Sequence, residues 1–264
     1  MTDKVHLGHR ARKRFGQNFL TDDYIIGEIV NAISPDDQHV MVEIGPGLGA
    51  LTFPVLAEVQ RLNVVELDKD LVERFEEDQL LTRRLNVYQA DAMKFDFSQL
   101  ITNEQKMKLF GNLPYNISTP LLFHLFEFCD QISDMHFMLQ KEVVDRMCAN
   151  PGSKAFGKLS VMTQYYCDAE TVVTVDPACF TPAPKVVSAV VRLTPKAKRA
   201  EVDTKMLERV AAAAFNQRRK TIRNSLKELI NEEEMLSLSI DPKARAEALS
   251  LAQFIQIAQF ISQK

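Results

Sequence analysis

Five short apolar runs constrain this chain more than any other feature: HVMVEI (39–44), LNVVEL (62–67), LNVYQAD (85–91), MKLFGN (107–112) and MHFMLQ (135–140). Each is short enough for a strand and apolar enough to be covered on both faces. TDDYIIGEIVNAI precedes the first run as a helix, with Thr21 or Asp22 as its cap and Ile25, Ile26, Ile29, Val30 and Ile33 on one face. ALTFPVLAEV follows the first run, an acid-rich stretch from Asp68 to about Leu80 follows the second, and TPLLFHLFEFC follows the fourth, all as further helices. Strands alternating with helices at this spacing predict βαβ units and a parallel sheet. The pattern then changes. ETVVTV (170–175) and VVSAVVRL (186–193) flank a Pro-rich loop with no helix between them, so they are expected as an antiparallel pair at the sheet edge. Beyond the polar linker TPKAKRA (194–200), residues 204–230, about 232–238 and 243–262 read as helices. The expected division is 1–195, an α/β domain, and 196–264, a small helical domain.

The 264 residues suffice for one large domain with a small appendage. No apolar run approaches the ~20 residues that span a bilayer. The basic N-terminus lacks a secretory core, and FGQNFL reads as part of the folded domain rather than of a transit peptide. Cys129, Cys148, Cys167 and Cys179 form no CxxC pair or Cys/His cluster, so reduced thiols and no metal are expected, and a cytoplasmic location with them. Nothing in the sequence calls for more than a monomer.

Net charge is −3, but its distribution is uneven. Lys4, Arg10, Arg12, Lys13 and Arg14 form one acid-free cluster, and Arg218, Arg219, Lys220, Arg223 and Lys227 form another. The remainder carries 22 basic residues against 35 acids, a net of −13. Concentrated positive charge in an otherwise acidic chain is what a phosphate backbone requires. Each cluster alone would be an ordinary solvated face.

EIGPGLG places Gly45, Gly47 and Gly49 between the first strand and a helix, where glycine permits a sharp turn and close approach of a cofactor to the main chain. Glu66 closes the second strand, 21 residues after Gly45, where an acid can accept from two ribose hydroxyls. Asp91 closes the third, where an acid can accept from an adenine amino group. Helix capping is the plain alternative for an acid such as Asp91 or Asp68. Together the three strand ends predict a nucleoside-containing cofactor. Position 50 is Ala, not the third glycine of a dinucleotide fingerprint, which counts against an oxidoreductase.

GNLPY ends the fourth strand. An adenine N6 amine is a poor nucleophile because its lone pair is delocalised. Acceptors for both N6 hydrogens pull it toward a pyramidal shape. Asn112 Oδ1 and the carbonyl of Leu113 can serve, Pro114 fixes the bend, and Tyr115 can stack on the base. A plain Asn-Pro turn with an anchoring Tyr is the alternative. Phe180, before TPAPK, is open to two roles, a second stacking surface or an anchor for its loop.

Taken together, EIGPGLG, Glu66, Asp91 and NLPY resemble the class I S-adenosylmethionine-dependent methyltransferases that act on adenine N6. RFGQNFL (14–20), NLPYNIS, FMLQKEV, FTPAPKVVSAVVRL (180–193) and AFNQRRKTIRNSL (214–226) resemble, more narrowly, the bacterial ribosomal RNA small-subunit adenine N6-dimethyltransferases, from about residue 5 to the C-terminus. The resemblance implies a Rossmann-like, mostly parallel seven-stranded sheet with an antiparallel edge, and a helical C-terminal domain. It implies S-adenosyl-L-methionine held by Asn18, Leu20, Gly45, Glu66, Asp91 and Asn112. It further implies dimethylation of two adjacent adenosines in the loop of the 3′-terminal hairpin of 16S rRNA, late in assembly of the immature 30S subunit. AFNQRRKTIRNSL is expected as one amphipathic helix, with Phe215, Ile222, Leu226 and Leu229 on its apolar stripe and a basic exposed side. A non-catalytic RNA-binding assembly factor on the same fold is the rival that intact NLPY and cofactor acids count against.

Overall fold

The computed structural model describes residues 18–77, 83–101, 104–115, 117–217 and 219–264, together with the backbone of residues 5–6 and 9–10. Arg12, Lys13 and Arg218, three of the expected RNA-binding residues, lie outside the described residues, as does the side chain of Arg10. Val5–His6 and His9–Arg10 pair antiparallel.

The expected strands form. They are β1 (Val40–Ile44), β2 (Leu62–Glu66), β3 (Leu85–Gln89), β4 (Met107–Asn112), β5 (Ile132–Gln140), β6 (Cys167–Val175) and β7 (Ser188–Pro195). Their order across the sheet is β3-β2-β1-β4-β5-β7-β6. The pairs from β3 to β5 are parallel. β7 runs antiparallel to β5, with Ser188 opposite Gln140, and β6 lies outside it. The sheet therefore reverses its winding between β1 and β4, and ligands in such sheets bind at the carboxyl ends beside that reversal.

Helices α1 (Asp23–Ile33), α2 (Thr52–Glu58), α3 (Lys69–Glu76) and α4 (Ser118–Phe126) fall where the periodicity puts them. Asp22 caps α1, accepting from Ile25 N at 3.0 Å, and Asp68 caps α3. Ile29, Val30 and Ile33 of α1, Val55 and Leu56 of α2, and Met41, Leu62 and Val64 of the strands form one apolar cluster. A two-residue pairing of Phe19–Leu20 with Phe180–Thr181 ties the N-terminal stretch to the Pro-rich loop, and Thr21 N donates to Cys179 O at 2.9 Å.

The chain divides into two compact units, one running to Val144 and including Glu170–Pro195, the other comprising Asp145–Ala169 and Lys196–Lys264. Residues 145–169, assigned from sequence to the N-terminal part, thus group with the C-terminal segment. Their packing explains it. In the second unit the Phe215 ring stacks on Phe254 (centroids 5.6 Å apart) and meets Phe156 edge-on, and Lys158 pairs with Glu208 at 2.8 Å. Two helices in this part of the chain, α5 (Lys141–Met147) and α6 (Lys158–Tyr166), were not anticipated.

The long helix expected over 204–230 is overturned. α7 (Thr204–Asn216) ends at Gln217, and a short α8 (Ile222–Ser225) starts after extended Thr221. The amides of Ile222 and Arg223 donate instead to Ala244 O (2.7 Å) and Pro242 O (3.2 Å). The carbonyls that compete with the helix come from a segment about 20 residues downstream. AFNQRRKTIRNSL is therefore not one amphipathic helix, although Ile222 and Leu226 are buried. α9 (Glu232–Ser237) follows. The expected helix over 243–262 is shorter: α10 (Leu251–Ser262) starts at Ser250, which forms a capping box with Gln253.

Candidate active site

A cavity of about 710 Å³ opens at the carboxyl ends of β1, β2 and β4, lined by Asn18, Leu20, Gly45, Glu66, Asp91, Asn112, Leu113, Pro114 and Tyr115 among others. Every one of the expected cofactor positions contributes to it. The turn after β1 is the reason the chain can approach so closely. Gly45 has φ +67° and its amide donates to Val65 O at 2.9 Å. A side chain would strain that backbone.

Glu66 is 7 % exposed. Its Oε1 accepts from the amides of Leu67 and Asp68, both at 2.8 Å, while Oε2 takes only a 3.4 Å contact from Gly47 N. One oxygen is thus fixed by the main chain and the other is left with acceptor capacity. Burial pushes its carboxyl above the usual range, against the pull of these amide donors. Asp91 is held similarly, with Oδ1 accepting from Met93 N at 3.0 Å. The capping geometry foreseen for these acids coexists with cavity lining.

Asn112 is the junction of the site. Its Nδ2 donates to the backbone O of Asn18 at 2.9 Å, which leaves Oδ1 as the acceptor end of the amide. Leu113 N donates to Met138 O, anchoring the bend before Pro114. The Tyr115 hydroxyl and Ser188 Oγ are 2.7 Å apart, which ties the ring to the start of β7. Phe180 is 4 % exposed, belongs to the apolar cluster with Leu20, Ile29 and Val30, and is not among the residues lining the cavity. Of the two roles open to it, the anchoring one is on display: its strand pairs with Leu20, two residues from Asn18.

Two residues of the site were missed from sequence. Glu43 lines the cavity at 2 % exposure and accepts one bond, from Thr52 Oγ1 at 2.6 Å. Burial, with the nearby Glu66 charge, pushes its carboxyl up to about 8 against the Thr52 bond. An acid inside the apolar run HVMVEI was the available signal. Gly111 is the other. A Cβ there would sit 2.2 Å from Ile44 O, so only glycine lets β4 lie against the end of β1. A glycine inside a strand pattern marks such approaches.

In the second unit, Arg219, Lys220 and Arg223 are exposed. Arg223 Nη1 pairs with Glu232 at 2.9 Å, so part of its charge is already answered.

The cavity's charge tests the cofactor class. Asp23, Glu43, Glu66 and Asp91 line it, and among the described residues no Lys, Arg or His does. Such a lining fits a nucleoside cofactor carrying positive charge better than a dinucleotide pyrophosphate.

The strand order and the carboxyl-edge cavity define a class I methyltransferase fold. The crystal structure of a dimethyladenosine transferase from Plasmodium falciparum matches it with a TM-score of 0.80 at 23 % identity, over 93 % of this chain and 98 % of that one. The sequence model described as Ribosomal RNA adenine dimethylase matches residues 8–263, and the chain belongs to that family. It is 63 % identical over 263 residues to Ribosomal RNA small subunit methyltransferase A of Pseudoalteromonas translucida, covering 99 % of this chain and 98 % of the relative. It is 59 % identical over 266 residues to the protein of the same name from Shewanella amazonensis, covering all of both. The chain is a ribosomal RNA adenine dimethyltransferase.

Proposed function

We propose that this enzyme transfers methyl groups from S-adenosyl-L-methionine to N6 of two adjacent adenosines in the loop of the 3′-terminal hairpin of 16S rRNA, dimethylating each, late in assembly of the 30S subunit in the cytoplasm. The names of the relatives support the small-subunit substrate. The observation that carries the chemistry is the Asn112 amide, held through Nδ2 by Asn18 O.

When bound, S-adenosylmethionine supplies an electrophilic methyl carbon on a sulfonium sulfur. Glu66 Oε2 would hold its ribose and Asp91 its adenine. Asn112 Oδ1 accepts one N6 hydrogen and the Leu113 carbonyl the other, drawing nitrogen toward the pyramidal shape of the transition state. Tyr115, fixed by Ser188, stacks on the target base flipped out of the hairpin loop. Phe180 holds the pairing that delivers Asn18. After transfer the N6 proton leaves to water, so no strong base is required. After the first methylation one N6 hydrogen remains, and the second transfer proceeds with a single acceptor. A carboxylate at position 112 would set its oxygen against Asn18 O, so the neutral amide answers two needs. Arg219 and Lys220 meet phosphates.

Asn112→Ala should lower single-turnover methyl transfer by about 10²-fold, the scale of one lost preorganised contact. Affinity for immature 30S particles, set mainly by phosphate contacts, should stay within a few-fold. Transfer of two methyls at near wild-type rate would remove Asn112 from the chemistry. So would a loss accounted for by weakened S-adenosylmethionine binding, measured alongside by calorimetry.

A further inference from the structure

The cavity contains two buried carboxyls whose partners differ. Glu66 has three backbone N–H groups directed at it, from Gly47, Leu67 and Asp68. Glu43, more deeply buried, has among the described residues the single hydroxyl of Thr52. The charged and polar groups set against Glu43 are Thr52 on α2 and Glu66 on β2, one a neutral donor and the other a like charge. Among the described residues no Lys, Arg or His pairs with either acid. A carboxylate in such surroundings lacks both solvent and counter-charge, so the neutral acid is favoured until a cation arrives.

We infer that Glu43 holds a proton in the open cavity and releases it when a cationic ligand enters, so that cofactor binding is linked to proton release. The inference rests on the reading of the cavity as the S-adenosylmethionine site. The ligand chemistry required is a fixed positive charge close to Glu43. S-adenosylmethionine has two, its sulfonium and its α-ammonium. Glu66 is buried too, but three amide donors oppose the effect of its burial, so Glu43 with its one hydroxyl partner is the member of the pair assigned the exchange. With the Glu43 carboxyl at about 8, the proton is present at neutral pH and available for release.

The test is titration calorimetry of the full-length protein with S-adenosylmethionine in phosphate and in Tris, whose ionisation enthalpies differ, across pH 6 to 9. The cofactor's own α-amine titrates in this range, so the decisive quantity is wild type minus Glu43→Gln. At pH 7 wild type should release about 0.9 proton more than the variant, falling to about 0.1 at pH 9. As pH is raised toward 8, the wild-type association constant should rise by up to about tenfold per pH unit relative to the variant, and level off above 8. Thr52→Val removes the one donor to Glu43 and should move the midpoint of the wild-type release profile upward. This second variant keeps the test open if Glu43→Gln folds poorly. S-adenosylhomocysteine, which keeps the ammonium and lacks the sulfonium, identifies the charge. Equal release with both ligands assigns the ammonium, and release with S-adenosylmethionine alone assigns the sulfonium. Equal proton counts in wild type and Glu43→Gln overturn the inference while leaving the cofactor assignment intact, as does a midpoint unmoved in Thr52→Val. Absence of any S-adenosylmethionine binding overturns the cofactor assignment itself, and this inference with it.

Discussion

The two edges of the same sheet treat their acids in opposite ways. At the carboxyl edge, Glu43 and Glu66 are buried near one another with no cation paired to them among the described residues, and burial pushes both carboxyls up. At the amino edge, Asp36 sits in the turn before β1. Burial is the largest single influence and pushes it up, but it is outweighed by the combined pull of the Lys108 ammonium at 2.9 Å, His39 Nδ1 at 2.7 Å and the amide of Gln38 at 2.8 Å. Its carboxyl falls to about 2. Lys108 also donates to Ser34 O, closing the end of α1 onto the start of β4. One edge ties elements together with a satisfied network. The other keeps acceptors unmatched, which opposes folding and serves binding. Strain of this kind belongs at a site whose missing partner is a ligand.

The sharpest way to break this comparison is to disturb the carboxyl edge without touching an acid. Gly111→Ala would drive a methyl to 2.2 Å from the Ile44 carbonyl oxygen, and the contact is backbone rather than a flexible side-chain end. β4 must move away from β1, carrying Asn112 away from Asn18 O. A displacement of about 1 Å is worth roughly 10²-fold in rate, so methyl transfer should fall by at least that factor. Stability should fall by about 1–3 kcal/mol. Lys106→Ala, an exposed change at the amino end of the same strand, should do neither. Wild-type turnover in Gly111→Ala would show that the two strand ends have more freedom than this packing allows.

The next effect is on stability against pH. Glu43 has a folded pKa of about 8, raised from the ordinary 4.5. Between those values the folded chain keeps a proton that the unfolded chain has lost, so stability falls as pH rises through that window. Glu43→Gln has no such penalty. It should therefore unfold at higher denaturant than wild type at pH 8, by about 1–3 kcal/mol after allowance for relaxation around the charge. The advantage should shrink toward pH 5. An advantage independent of pH would mean that the gain came from packing and not from the buried charge.

How much of this was legible beforehand follows from where each signal resides. The sheet was readable because β1, β2 and β4 are buried runs with sharp boundaries, and sheet topology then brings Gly45, Glu66, Asp91 and Asn112 to one edge. Glu43 escaped notice because its neighbours made the run look like pure core, and its importance depends on a cavity formed by distant residues. Gly111 was read as an ordinary strand residue, since its constraint is the Ile44 carbonyl of another strand. α6 carries buried Leu159, Val161, Met162 and Tyr165 and so has little amphipathic contrast to detect. The break after Asn216 is set by carbonyls at 242 and 244, which no local pattern announces. The Ser250–Gln253 capping box, by contrast, was local and should have set the start of the last helix.

The smallest effect is the mirror of the Glu43 one. Asp36, with its side chain about one-third exposed, has a folded pKa of about 2, below the ordinary 3.8. A depressed carboxyl contributes stability above its unfolded value and loses it as pH falls through the folded one. Solvent screening discounts the shift, so Asp36→Asn should lower stability by about 1 kcal/mol or less at pH 7. The loss should fade as pH drops toward 2, and in part as salt is raised. The two variants thus bracket the comparison: Asp36→Asn destabilises most where Glu43→Gln stabilises. Because Asp36 precedes β1, Glu43 lies near its far end, and the partners of Asp36 (Lys108, His39 and Gln38) differ from the Thr52 partner of Glu43, the double variant should equal the sum of the singles within about 0.5 kcal/mol at pH 7. Denaturant unfolding of all four proteins at pH 3, pH 5 and pH 8 supplies both readings, the lower interval reporting on Asp36 and the upper on Glu43. A pH slope of the same sign in both single variants would show that the two edges obey one electrostatic rule, and a large coupling in the double variant would show that β1 transmits strain between them.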